Sequence, residues 1–261
     1  MPESVNFDRI ADRYDETRGG AERGRLVAAQ VAPYLPPGRL LEIGVGTGLI
    51  ATEFAALGWE IVGLDLSARM LVRAARRVPG RVVRADAGAL PLADGSVDAC
   101  AAVHVLHLVG DTSPVLREVA RVLRPAGRLA VTGRGSYADV SDLGRILRAL
   151  NSQLDGRQPR AARSAAGSVI ETAAPHGLRL VEQFAMTPRD AETTPEQAIA
   201  GIESRLWSSL WDVPDDLWAS VVEPAVAELR RLPGQDQPRR ATSHDPVLIF
   251  EATADTLSNA R

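Results

Sequence analysis

The sequence contains no lysine: all 30 of its basic residues are arginine, against 33 acidic ones, for a formal net charge of −3. Schiff-base catalysis and the lysine of a phosphate-binding P-loop are thereby excluded. A mildly acidic total without a basic tail also weighs against extended contact with a phosphate backbone, so no nucleic-acid partner is expected. Cysteine occurs once, at Cys100, which removes a disulfide framework and any zinc site built on several thiolates; no metal is expected. No run approaches the ~18 uninterrupted apolar residues of a membrane span. The charged start (Met1-Pro-Glu-Ser-Val-Asn-Phe-Asp-Arg) lacks the apolar stretch of a signal peptide, so a cytoplasmic protein is expected.

What is present is an ordinary globular composition, 45% apolar over 261 residues, enough for one large or two modest domains with a core of their own. The first 35 residues read as two helices: Phe7, Ile10, Ala11 and Tyr14 recur at helical spacing, Gly19-Gly20 interrupts, and Leu26, Val27, Gln30, Val31 and Leu35 resume. Past Pro36-Pro37-Gly38, short apolar strands alternate with helices. The strands are expected at Arg39–Ile43, Glu60–Leu64, Arg81–Ala85, Val97–Val105 and Arg128–Thr132. The helices are expected at about Thr47–Leu57, from Ser67 onward, and at Pro114–Leu123. Strand, helix, strand, repeated four times, predicts an α/β fold with a doubly wound, mostly parallel sheet.

Beyond Gly133 the regularity fades. Helices are expected over Val140–Leu154, Ser164–Ala174, Pro195–Leu210 and Asp215–Leu232, with strands at Leu178–Met186 and Pro246–Ala252. Gly156–Arg163 and Pro233–Asp245 read as polar loops. The organisation predicted is a cofactor-binding core with N-terminal helices over 1–136. Residues 137–240 would be partly core and partly a helical cap over the sheet's carboxyl edge, and 241–261 the last strand and tail.

The densest chemical signal is Leu40-Leu41-Glu42-Ile43-Gly44-Val45-Gly46-Thr47-Gly48, a buried strand ending in three alternating glycines that open a helix. Glycine is needed where backbone turns tightly and lets a ligand approach the main chain, and in an open α/β sheet that place is the ligand crevice. A dinucleotide fingerprint wants G-x-G-x-x-G with pyrophosphate on the helix N-terminus. Its third glycine should fall at residue 49, which is Leu49. Glu42 would moreover repel a pyrophosphate, whereas it suits a positively charged ligand. Two further carboxylates end the next strands: Asp65, placed to accept from ribose hydroxyls, and Asp86, placed to accept from an adenine amine. A solvated aspartate at a strand end is commonplace singly; three acidic groups on one edge of three strands point to a cationic nucleoside. Met70 either packs on a purine face or serves the helix core.

The stretches LLEIGVGTGLIATEFAALGWEIVGLDLSARML, RADAGALPLADGSVDA and VLREVARVLRPAGRLAVTG together resemble the class I S-adenosylmethionine-dependent methyltransferases, within the group acting on quinones and other small molecules. The resemblance covers about Phe7–Gly133. It implies a Rossmann-like fold whose last strand is antiparallel, S-adenosylmethionine as cofactor with S-adenosylhomocysteine as product, and a small-molecule acceptor. It also implies that the turn from Glu42 through Gly44 and Gly46 to Gly48 holds the amino-acid end of the cofactor. By the same resemblance Asp65 binds the ribose, with Leu66 and Met70 near the adenine. Asp86 and Ala87 would meet the adenine edge, and Tyr14 in the opening FDRIADRYDETR would close over the sulfonium. Ala126 departs from the family, which usually has a second glycine there.

Of four histidines, His104 and His107 follow the fourth strand, where an imidazole could take a proton or touch cofactor or substrate; at the position of His107 the family often has a polar or aromatic residue for structural reasons. His176 is expected to cap a helix and His244 to be solvated in a loop. Arg134 and Tyr137 follow the fifth strand at the expected substrate entrance, Arg134 as an anion anchor or a solvated turn residue. Aromatics are scarce at 4%, so Trp207, Trp211 and Trp218 stand out. Trp207 and Trp211, four residues apart, are expected on one helical face. They would form an apolar wall for substrate, packing within the cap, or a contact in a homodimer, with packing favoured. Two other classes remain: a non-catalytic protein that binds S-adenosylmethionine, and a nicotinamide-dependent oxidoreductase, which the missing glycine at 49 disfavours.

Overall fold

The computed structural model describes residues 7–9, 11, 14–17, 20–78, 80–133, 136–155, 166–211 and 213–253. In chain order, a 3-10 turn (Phe7–Arg9) and a one-turn helix (Tyr14–Thr17) precede α1 (Gly20–Val31), β1 (Arg39–Ile43), α2 (Leu49–Ala56), β2 (Glu60–Asp65) and α3 (Ala68–Arg77). There follow β3 (Val82–Arg84), β4 (Val97–Val103), a 3-10 turn (Leu106–Leu108), α4 (Ser113–Val122), β5 (Leu123–Thr132), β6 (Ser136–Ala138), α5 (Asp142–Asp155) and α6 (Ala166–Ala173). The main remaining elements are β7 (Leu178–Ala185), β8 (Arg189–Thr193), α7 (Pro195–Glu203), α8 (Glu223–Arg230, preceded by helical turns over Asp215–Leu217 and Trp218–Val222), β9 (Arg239–His244) and β10 (Pro246–Ala252).

These elements form two compact units. The first comprises 1–134, 163–186 and 246–261, and the second 135–162 and 187–245. The first holds a seven-stranded sheet of order β3-β2-β1-β4-β5-β10-β7. Neighbours from β3 to β5 are parallel, and β10 runs antiparallel to both β5 and β7, so six strands share one direction and only β10 is reversed. The strands are nearly continuous apolar runs because both faces are covered. One face carries Leu41, Ile43, Cys100, Leu129 and Phe250 against α4 and α6. The other carries Leu40, Ile61, Ala101 and Ile249 against α1, α2 and α3. This is the doubly wound arrangement predicted, with the reversed last strand.

Two expectations about the N-terminus and the turn after α4 are adjusted. The helix predicted around Phe7–Tyr14 is present as two short pieces, and Ile10 lies outside the described residues. Strand β5 starts earlier than Arg128, at Leu123, with a register shift against β4 where Pro125-Ala126-Gly127 bulges out.

The second unit differs more from expectation. Pro233–Asp245 is not simply a loop: β9 pairs with both β6 and β8 in a three-stranded antiparallel sheet that the sequence reading lacked. His244 therefore ends a strand. Arg239, within that expected polar loop, is an anchor with a side chain 12% exposed. It donates to the Asp142 carboxylate and to the carbonyls of Pro233, Gly234 and Gln237. The unit's own apolar core joins α5, α7 and α8 through Leu143, Ile146, Ile202, Val222 and Leu229. Helix α7 begins with a reciprocal cap in which Thr194 and Gln197 each accept from the other's backbone N–H. The loop expected at Gly156–Arg163 lies outside the described residues.

Candidate cofactor site

Within the first unit, three parallel strands deliver their carboxyl ends side by side. Register pairs Glu42 of β1 with Gly63 of β2, and Asp65 of β2 with Arg84 of β3, two residues before Asp86. Glu42, Asp65 and Asp86 thus stand on one edge of neighbouring strands, as the sequence reading required.

The glycine turn owes its shape to the residues that follow β1. Gly44, Gly46 and Gly48 all have positive φ (68°, 55° and 82°). Each meets a different limit. A Cβ on Gly44 would lie 2.6 Å from Cγ2 of Val105, and one on Gly48 would lie 3.1 Å from Cα of Ala74 in α3. At Gly46 the nearest atoms would be 4.0 Å away, the carbonyl of Gly44 and the ring edge of Tyr14. The outer glycines serve packing; the central one leaves the main chain open beneath Tyr14. With the third glycine at 48 packing α2 against α3, and Leu49 already helical, the dinucleotide spacing is not met.

Electrostatics sharpen the picture. Glu42 is 2% exposed and its Oε2 has no hydrogen-bond partner. Burial, and secondarily the charge of Asp65, push its carboxyl well above the usual range. Asp65 is also raised by burial, although its Oδ2 accepts from the Gly46 N–H at 2.9 Å and its Oδ1 from the Ser67 N–H at 2.8 Å. A carboxylate oxygen accepts more than one bond, so both retain capacity for a diol. Ser67 caps α3 as predicted, its side chain accepting from the Met70 N–H. Met70 itself is 1% exposed. Asp86 accepts from the Gly88 N–H at 2.8 Å, and Ala87 packs on the apolar cluster beneath. Leu66 is half-buried at the turn after β2.

At the end of β4, His104 holds a left-handed backbone (φ 52°) that L-residues rarely adopt, and its N–H donates to the Thr132 carbonyl at 3.1 Å. Because Val105 touches Gly44, this strained corner abuts the glycine turn. His107 follows in the 3-10 turn Leu106–Leu108. His176, expected to cap a helix, is instead the last residue of a 3-10 turn whose cap is Gly177, and its Nε2 bonds the Ser113 hydroxyl at 2.9 Å; burial lowers its pKa.

Arg134 lies outside the described residues, and Tyr137 is on β6 of the second unit. Trp207 and Trp211 do not share a helix, because α7 ends at Glu203. Trp207 packs on the second unit's core, and the Trp211 indole donates to the Arg205 carbonyl at 2.6 Å. Arg205 in turn lies 4.1 Å from the Trp218 ring centroid. No group of three or more potential metal ligands occurs among the described residues, and no described helix is long and apolar enough to cross a membrane.

Asp8, Asp15 and Arg77 join the site without a motif of their own in the sequence. Thr47 donates to Asp15 at 2.5 Å, and Arg77 bridges Asp15 and the Thr47 carbonyl at 2.7 Å each. Ser67 donates to Asp8 at 2.5 Å, which holds that carboxyl below its usual range. The signal available was the spacing: two aspartates seven residues apart, two helical turns, in a segment already singled out for Tyr14.

Residues 41–131 match the family model described as a methyltransferase domain. The demethylmenaquinone methyltransferase of Renibacterium salmoninarum is 35% identical over 131 residues, 48% of this chain and 55% of that protein. That of Mycolicibacterium paratuberculosis is 41% identical over 131 residues, 48% of this chain and 56% of that protein. The chain thus spans little more than half the length of these curated relatives. Among solved structures, the [4+2]-cyclase SpnF shares the fold at a TM-score of 0.60, with 19% identity and 97% of each chain covered. A buried acid with one unpartnered oxygen at the foot of a glycine turn, with a second acid at the next strand end, fits a ligand carrying an ammonium, a sulfonium and a ribose. Over residues 41–131 the chain is thus similar in sequence to a methyltransferase domain.

Proposed function

We propose that the chain transfers a methyl group from S-adenosylmethionine to a nucleophilic oxygen, nitrogen or carbon of a small-molecule acceptor. The observation that carries this reading is Glu42: a fully buried acid with an unpartnered oxygen, beside Asp65 and the open Gly46. Such a group is costly unless a cation meets it. When bound, S-adenosylmethionine supplies an already activated methyl on a positively charged sulfur. Glu42 would compensate the charge of its amino-acid end, Asp65 would accept from the ribose, and Asp86 and Ala87 would meet the adenine edge. Leu66 and Met70 would lie along the purine, and Tyr14 over the centre. The chain's remaining task is to align a nucleophile and exclude water, worth on the order of 7–11 kcal/mol for well-oriented reactants. His104 or His107, beside the turn, would take a proton where the acceptor is a hydroxyl or ammonium, about a 10²–10⁴-fold gain.

The relatives' name, demethylmenaquinone methyltransferase, makes a reduced quinone the first acceptor to try. A net charge of −3 favours a small molecule over a nucleic acid. The test is calorimetric titration with S-adenosylhomocysteine, followed by transfer of labelled methyl to a panel headed by reduced demethylmenaquinone. Saturable binding is expected, weakened at least tenfold by Asp65→Ala. Absence of binding would overturn the reading, and an unchanged affinity in the variant would remove Asp65 from it.

A further inference from the structure

We propose that Asp15 is a positioning residue for the cofactor cradle: through Thr47 and Arg77 it ties the one-turn helix bearing Tyr14 onto the glycine turn and so sets how long a nucleoside stays bound. This rests on the preceding reading of the cradle as a site for S-adenosylmethionine and its product.

Three bonds close a ring. Thr47 donates to one Asp15 oxygen, Arg77 donates to the other, and the same guanidinium donates to the Thr47 carbonyl. Thr47 sits between Gly46 and Gly48 and is 2% exposed, so the ring is fastened to the turn itself. Arg77 comes from the last turn of α3, and the ring therefore joins three separate pieces of chain. A second anchor lies seven residues earlier. Asp8 accepts from the Ser67 hydroxyl and from the Arg69 N–H, and Ser67 is the residue whose own N–H donates to Asp65. Phe7 and Tyr14, one beside each anchor, meet edge to face with centroids 6.1 Å apart.

The two aspartates thus fasten one short stretch to both loops of the cradle, Asp15 to the glycine turn and Asp8 to the loop after Asp65. Tyr14 is left with its ring edge 4.0 Å from the point where Gly46 would carry a Cβ. Bonds with ionised partners are the stronger kind, yet the Arg77 and Asp15 side chains retain 33% and 20% exposure. Water can compete for them, which makes the tie breakable. A tie of that strength suits a stretch that opens for a ligand and closes over it.

The experiment is the dissociation rate of S-adenosylhomocysteine from the full chain, by surface plasmon resonance. Asp15→Ala and Arg77→Ala are each expected to raise it about tenfold. The double variant should exceed neither, because both single changes break the same ring. Asp8→Ala should raise the rate further when added to Asp15→Ala, since it removes a separate anchor. Rates within twofold of the parent, or a double variant showing the product of the single effects, would overturn the proposal. A role in folding alone would lower the melting temperature of the ligand-free chain and leave the rate unmoved. Were the parent chain to bind no S-adenosylhomocysteine, the cofactor reading would fail first. Amide exchange over 14–17 in the ligand-free chain would then decide the tie: faster exchange in Asp15→Ala supports it, and unchanged exchange refutes it.

Discussion

Glu42 has 2% of its surface exposed and an Oε2 without a hydrogen-bond partner, so ionising it costs more than ionising a solvated carboxyl. Folding raises this carboxyl's pKa, meaning that the unfolded chain gives up its proton first as pH rises. Stability owed to Glu42 is therefore greatest in acid and declines as pH climbs through and beyond the ordinary carboxylate range. Glu42→Gln should raise the melting temperature of the ligand-free chain at neutral pH by about 2–4 °C, on the order of 1 kcal/mol for a chain of this size. It should also flatten that pH dependence and weaken S-adenosylhomocysteine binding about tenfold or more. Calorimetric melts across pH, with and without ligand, check all three. Ala126 poses a simpler case. It holds φ 64° on an exposed turn where the family resemblance expects glycine. A left-handed alanine costs roughly 1–2 kcal/mol, of which glycine's extra chain entropy offsets about 0.5–1. Ala126→Gly should thus stabilise by about 0.5–1 kcal/mol in urea melts.

Elements were legible where local chemistry decided them. Strands β1 and β10 appear at the residues predicted, and Ser67 caps α3 as its hydroxyl suggested, because apolar runs and caps act over a few residues. Strands β8 and β9 were not legible. Arg-Asp-Ala-Glu-Thr and Arg-Arg-Ala-Thr-Ser-His have no apolar alternation, and of their side chains only that of Ser243 is buried. Backbone pairing holds them, reinforced by Arg240 and Thr242 on Asp190 and by Arg189 on Asp245, contacts that cross 50 or more residues of sequence. At the same scale, the hydrogen bond between His176 and Ser113 joins the turn before β7 to the first residue of α4. Burial lowers the His176 pKa, so the unfolded chain binds a proton more readily. The stability this contact contributes is present above the ordinary imidazole pKa of about 6.5 and is lost as pH falls below it. In His176→Gln the decline in melting temperature between pH 7 and 5 should be shallower; an unaltered slope would show that the contact does not titrate with stability.

At the scale of the whole molecule, the first unit is assembled from three stretches of chain, 1–134, 163–186 and 246–261. Its last strand, β10, lies between β5 and β7, bonded to both. Removing residues 246–261 would strand β7, delete Val247, Leu248, Ile249 and Phe250, all at most 2% exposed, and uncover their neighbours on both faces. Buried side chains of this kind stabilise by about 1.5–3 kcal/mol each, comparable in sum with a domain's whole margin. A chain ending at Asp245 is therefore expected to show no cooperative melting transition in calorimetry. A retained transition at the parent temperature would mean that the sheet closes without β10.

The order of strands and helices up to Thr132, the glycine turn and the identity of the carboxylates at three strand ends were determined by the sequence alone. Each follows from hydrophobic period or from a residue type that only a few backbone conformations accept. The tertiary structure decided which acid is buried with an unpartnered oxygen, that Asp8 and Asp15 reach the cradle, and that Trp207 and Trp211 do not share a helix. It also decided that β9 joins a second sheet. These depend on pairings between residues far apart in the chain, whose energies exist only once the backbone has brought them together.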